Sequence, residues 1–259
     1  MCLDEIRSRI SVMADGPFRD PKLDNIPPMD ARATAQTAAA CFSLGAGTYD
    51  LFVRDAGGRL TLDPTILRQH MAMIAQSAPR MVVRLGLEGL GAATVSDYLR
   101  VLQATLPAAA SVSVAELSNS PTDAKRLVQF AKAVGTCLQF TVQSQADILQ
   151  FAQWFSGNDR PSVCLTVGRV GSDQDIQPSD LDPFLQKLRS ITDIWTLSAA
   201  CRNELALHEY ASSLGASAKV GFGVNCMRPD GKTMRDNCES VMRISQMIGQ
   251  FDHRQDAAA

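Results

Sequence analysis

Short apolar runs alternate along the chain with longer stretches of helical period. The runs cover residues 10–14, 49–53, 81–85, 112–115, 137–141, 163–167, 194–197 and 219–222. Several are too apolar for strands with one face in water. They read as parallel strands, covered by helices on one side and by core on the other. The intervening stretches predict helices over 31–44, 64–77, 95–104, 123–134, 145–155, 181–188, 203–214 and 236–248. Leu127, Phe130, Ala131 and Val134 show the spacing of one buried helical face.

Boundary signals agree with these elements. Asp63-Pro64 is a cap residue followed by proline at the first helical position. Asp30, Thr94 and Ser144 can cap in the same way, and Leu44-Gly45 and Leu214-Gly215 suit helix ends. Eight strand–helix units in about 250 residues predict a (β/α)8 TIM barrel. A doubly wound sheet is the alternative, because periodicity does not show closure. No linker composition divides the chain, so residues 1–259 are expected to form one domain. Residues 16–29 read as a long loop after the first strand, and 252–259 as a flexible tail.

Composition narrows the function. The 25 Lys plus Arg against 27 Asp plus Glu give a formal charge of -2, without the basic excess of a nucleic-acid binder. Hydrophobic residues make up 46%, which excludes wholesale disorder. Seven cysteines form no CxxC pair and only three histidines are present, so a structural zinc module is not expected. The thiols fit a reducing cytoplasm. No run approaches the length of a membrane span, and the N-terminus lacks the apolar core of a signal peptide.

In a barrel, chemistry gathers at the C-terminal strand ends and the loops that follow. That rule selects Asp15, Asp50, Arg54, Asp55, Arg84, Glu88, Glu116, Asn119, Gln139, Thr141, Thr166, Arg169, Ser198, Cys201, Arg202, Lys219, Asn225 and Cys226. No histidine is among them. His70 and His208 fall inside predicted helices and His253 in a polar tail. Alternation puts Asp50, Phe52 and Arg54 on one face of the second strand. Burying Asp50 alone is costly. It therefore forms an internal ion pair with Arg54, Arg84 or Lys219, or it is held for substrate or metal. Lys219 can bind an anionic group, or act as an amine nucleophile if its pKa is depressed. The glycine stretches 86–94 and 223–233 lack the spacing of a dinucleotide turn or a P-loop. Phe151, Trp154 and Phe155 read as core.

Several segments in order carry a resemblance: ISVMADG, SLGAGTYDLFVRDAGGRLTLDP, LTVGRVGS, LGASAKVGFGVN and DGKTMRDNCESVMRI. Together they resemble the beta-keto acid cleavage enzymes, over about residues 9–250. The resemblance implies a zinc-dependent TIM barrel that splits or joins beta-keto acids with acetyl-CoA, giving products such as acetoacetate plus an acyl-CoA, in homodimers or homotetramers. In that family the second strand carries His-x-His-Val-Arg-Asp, whose histidines hold the metal; Asp50 and Phe52 stand there in this chain. The eighth strand carries Arg-Val-Gly-Leu-Glu-Asp-Asn; here it reads Lys219, Val220, Gly221, Phe222, Gly223, Val224 and Asn225. The liganding glutamate is thus Gly223, and the catalytic arginine and aspartate are Lys219 and Val224. The family's glutamate after the first strand matches Phe18.

Phe52 and Gly223 cannot coordinate a metal, and catalytic zinc needs about three protein ligands. Two readings follow. One is a metal-independent enzyme with no cofactor, acting on a small anionic or carbonyl metabolite, as a carbon–carbon lyase or acyltransferase. Asp50 and Lys219 would be catalytic, and Arg54, Arg84, Glu116 and Asn225 would bind substrate. The other is a catalytically silent barrel that binds a small molecule or serves a structural role.

Overall fold

Strand by strand, the chain returns to its starting edge. The computed structural model describes residues 9–17, 29–91, 93–118, 120–155, 160–169 and 175–256. The strands are β1 (Ile10–Val12), β2 (Thr48–Leu51), β3 (Val82–Gly86), β4 (Ala109–Ser113), β5 (Cys137–Val142), β6 (Ser162–Gly168), β7 (Trp195–Ala200) and β8 (Ser217–Val220). They pair in parallel in sequence order, and β1 also pairs with β8, closing a (β/α)8 barrel. Closure decides against the doubly wound alternative.

The helices are α1 (Ala31–Ser43), α2 (Pro64–Ser77), α3 (Val95–Thr105), α4 (Val114–Leu117), α5 (Pro121–Val134), α6 (Gln145–Ala152), α7 (Asp182–Leu188), α8 (Glu204–Ser213) and α9 (Asn237–Asp256). Asp30, Asp63, Thr94 and Ser144 each accept a backbone N–H of the helix they precede, as the sequence predicts. Phe140, Phe151, Trp154 and Phe155 pack ring against ring between β5 and α6.

Several boundaries differ from expectation. β4 begins at Ala109, three residues before its expected start, and the chain turns into α4 at Val114. β8 begins at Ser217 and ends at Val220, because Gly221 leaves the sheet at φ 111°. α9 continues eight residues past 248, so residues 252–256 are helical backbone. Of the long first loop, residues 18–28 lie outside the described residues, as does Asn119. No helix among the described residues is long and apolar enough to cross a membrane.

Inside the staves the barrel is ionic as well as apolar. Asp50, Arg84 and Lys219 are all buried there. Two cavities lie along its axis. The one at the C-terminal mouth, about 370 Å³, includes Glu88, Thr141, Thr166, Ser198, Arg169 and Lys219 in its lining. The other, about 210 Å³ at the N-terminal mouth, is bounded by Ser11, Thr48, Arg84, Gln139 and Thr196 among others.

Candidate active site at the C-terminal mouth

Register sets the central charges. Asp50 on β2 stands beside Arg84 on β3, and Lys219 on β8 reaches it past β1. Arg84 Nη1 and Lys219 Nζ both donate to Asp50 Oδ1, at 3.0 and 3.1 Å. Asp50 Oδ2 is buried without a partner among the described residues. Burial opposes the Asp50 charge, but Arg84 and Lys219 outweigh it and hold the carboxyl below its ordinary range. For Lys219 burial acts to lower the pKa, and Asp50 more than offsets it, leaving the amine more firmly protonated than usual. An ammonium so held is an electrostatic group rather than an amine nucleophile.

Lys219 reaches the upper cavity from this network, with Asp50 on its far side. Glu88, just beyond β3, lies on the cavity wall and is 4% exposed. Burial raises its pKa, and Lys219 opposes the rise. The Thr141 and Ser111 hydroxyls stand near its carboxyl and, like Lys219, work against the rise. Arg169 is exposed at the rim.

The remaining residues singled out from the sequence hold loops. Arg54 Nε and Nη2 donate to Asp15 at 2.7 and 3.1 Å, and Arg54 also donates to the Gly16 and Gly58 carbonyls. It thereby ties the end of β1 to the hairpin that follows β2. Glu116 is on the surface, accepting from Gly89 N at 2.8 Å and from the Tyr98 hydroxyl at 3.3 Å. Asn225 donates to the Cys201 carbonyl and to Glu204 Oε2, stapling the β7 and β8 loops. Arg84 opens to the N-terminal cavity instead of the upper one. Phe18 lies outside the described residues.

The zinc implied by the resemblance does not fit these residues. Among the described residues, no three His, Cys, Asp or Glu side chains come together as a metal site. Phe52, Met13 and Val224 form an apolar cluster at the mouth. The Phe52 ring lies where a Cβ on Gly86 would sit, 2.2 Å from it. Gly223, at the position of the expected liganding glutamate, is equally hemmed in. A Cβ there would stand 2.7 Å from the Asp15 carbonyl oxygen and from Met13 Cγ. The Gly223 N–H donates to the Met13 carbonyl, which fixes this approach.

The family model for beta-keto acid cleavage enzymes matches residues 9–257. The chain belongs to the beta-keto acid cleavage enzyme family. Among solved structures it is similar to the apo structure of ObcA, at 16% identity and a TM-score of 0.64, covering 88% of this chain and 62% of that one. The chain thus spans less than two thirds of ObcA. A ternary complex of ObcA with a C4-CoA adduct and oxalate gives 14% identity and a TM-score of 0.63, covering 86% and 64%. The spore coat polysaccharide biosynthesis protein spsE from Bacillus subtilis gives 15% and 0.62, covering 97% and 70%. At such identities these likenesses speak for the barrel alone. No curated protein matches the chain. Within the beta-keto acid cleavage enzyme family, this chain carries Asp50, Phe52 and Gly223 at the positions where the resemblance expects two histidines and a glutamate, and Lys219 where it expects an arginine.

Proposed function

We propose that this chain binds a small carboxylate of the keto-acid class in the Lys219 cavity and acts on it without zinc. One observation carries the reading: a buried ammonium, fixed by Asp50, lines a ligand-sized cavity whose wall also bears Glu88, Thr141, Thr166 and Ser198. Fixed positive charge in a water-poor site stabilises a carboxylate or a developing enolate, a task that otherwise falls to a Lewis acid. Family membership favours a beta-keto acid and carbon–carbon lyase or acyltransferase chemistry. It also favours a homodimer or homotetramer.

The apolar cluster of Phe52, Met13 and Val224 supports a second reading, a silent barrel that binds the same ligand without turning it over. One experiment separates the two. Acetoacetate is titrated calorimetrically into the chelator-treated full chain and into K219M, and turnover with acetyl-CoA is followed by mass spectrometry. The proposal expects binding that K219M weakens about ten- to hundredfold, the worth of a charge-assisted hydrogen bond, and turnover that survives the chelator. Binding without turnover favours the silent barrel. Turnover that needs added zinc, or binding indifferent to K219M, refutes the proposal.

A further inference from the structure

The upper cavity holds more unmet hydrogen-bonding capacity than the fold requires. Glu88 Oε2, Thr141 Oγ1 and Ser111 Oγ are sealed from solvent and have no partner among the described residues. Leaving one buried polar atom unpaired costs about 1–3 kcal/mol, so a carboxyl oxygen with two unpaired hydroxyls beside it marks a place completed by something else. Water can satisfy the hydrogen bonds but not the charge. Arg84 and Lys219 bring two cations into the barrel, and Asp50 supplies one anion. Burial disfavours the second anion, an ionised Glu88. An anionic ligand relieves this excess; water does not.

We infer that Glu88 keeps its proton and donates it, as a hydrogen bond, to the same ligand carboxylate that Lys219 holds, so that binding selects carboxylates and is linked to one proton. The inference rests on the proposed Lys219 site and deepens it. A carboxylate offers two acceptor oxygens. The Lys219 ammonium donates to one and the Glu88 hydroxyl to the other. An ionised Glu88 would set one acceptor against another and repel the ligand. No covalent bond changes; only the proton equilibrium shifts.

The charged and titratable groups facing Glu88 are Lys219 from β8 and Glu116 from α4, with Cys164 on β6 and Tyr98 on α3 also within its field. Lys219, Cys164 and Tyr98 all have raised pKa values and start from basic ones, so they keep their protons near neutrality. Glu116 is the other carboxyl, and it is already bonded to Gly89 N and Tyr98.

The test is calorimetric titration of acetoacetate into the full chain between about pH 5 and about pH 9, in pairs of buffers that differ in ionisation enthalpy. Above the Glu88 pKa, affinity is expected to fall by up to about tenfold per pH unit, with uptake approaching one proton per ligand bound. E88Q is expected to abolish both the slope and the uptake, whereas E116Q keeps them. Wild-type binding without proton uptake, or a slope that survives E88Q, overturns the inference and leaves the Lys219 reading standing. Absence of saturable binding to the wild type overturns the underlying reading instead. The proton count on the wild type needs no variant, so a poorly folding E88Q would not block the test.

Discussion

Replacing Glu204 with glutamine should remove the alkaline loss of stability that this one carboxyl imposes. Glu204 opens α8 and is 7% exposed; its Oε2 accepts from Asn225 at 2.8 Å, and its Oε1 has no hydrogen-bond partner among the described residues. His208, one turn on, has its Nε2 4.0 Å from Glu204 Oε1, and neither ring nitrogen is hydrogen-bonded. Burial pushes the Glu204 carboxyl up to about 8 and the His208 ring down to about 3. Between 4.5, the ordinary glutamate value, and about 8, folded Glu204 therefore holds a proton that the unfolded chain has released. Stability attributable to this group is full below the lower value and is lost as pH rises through the upper one. The shift corresponds to a loss of about 5 kcal/mol as an upper bound, reduced by any water that enters beside the ionised carboxylate. His208 acts with the opposite sign, its contribution present above 6.5 and lost as pH falls toward about 3, so it leaves the alkaline window untouched. Glutamine mimics the neutral acid and keeps an acceptor for Asn225. Urea unfolding of both proteins from about pH 5 to about pH 9 measures the difference, in which other titrating groups cancel. The expected result is a variant that gains several kcal/mol on the wild type across that range. Parallel curves would show that Glu204 ionises normally and would refute the reasoning.

Other perturbations test the site from different sides. D50N leaves Arg84 and Lys219 buried without their shared anion and should cost about 3–5 kcal/mol in urea unfolding, whereas K219M leaves the Asp50–Arg84 pair intact and should cost less; the reverse order would mean that Lys219, not Asp50, organises the network. G223E, which restores the expected liganding carboxylate, should lower Tm and yield no tight zinc site by dialysis and metal analysis, because its Cβ meets the Asp15 carbonyl. R54A should speed hydrogen exchange at residues 13–17 and cost about 2–3 kcal/mol, since it removes charge-assisted bonds to Asp15 and a bond to the Gly16 carbonyl; unchanged exchange there would show that the loop is held by other contacts.

The features legible in the sequence are those whose cause is local. Asp63 caps α2 through a bond two residues long, so Asp63-Pro64 announces the helix start unaided. Asp50 and Lys219 stand out because a charge inside an apolar strand must find a partner, and Arg84 and Lys219 are both among the partners the sequence offers Asp50. The start of β4 is hidden because its first residues, Ala109 and Ala110, are small and carry little hydrophobic signal, although both are buried. The bounds of β8 are hidden for the opposite reason, since the apolar run that follows Lys219 continues past Gly221 into the loop. The roles of Arg54 and Asn225 depend on partners far along the chain, Asp15 and Glu204, which spacing does not reveal. The strand-end position of Glu88 is visible in the sequence, but its place beside Lys219 on one cavity wall exists only once the barrel closes. The Glu204–His208 pair has the spacing of an ordinary surface pair, and only burial distinguishes it.

The oxygen that Asp50 shares between two cations also constrains how this barrel can change. Arg84, Lys219 and Asp50 come from three strands, and Asp50 cannot be exchanged alone without leaving two charges stranded in a region that water hardly reaches. A variant with histidine at position 50 would orphan Arg84 and Lys219 together, while the Phe52 ring would still cover Gly86. A metal-binding mouth is therefore reachable only through intermediates that fold poorly, and the ionic interior works as a ratchet: once three strands share one carboxylate, single substitutions at its centre are steered away from histidine.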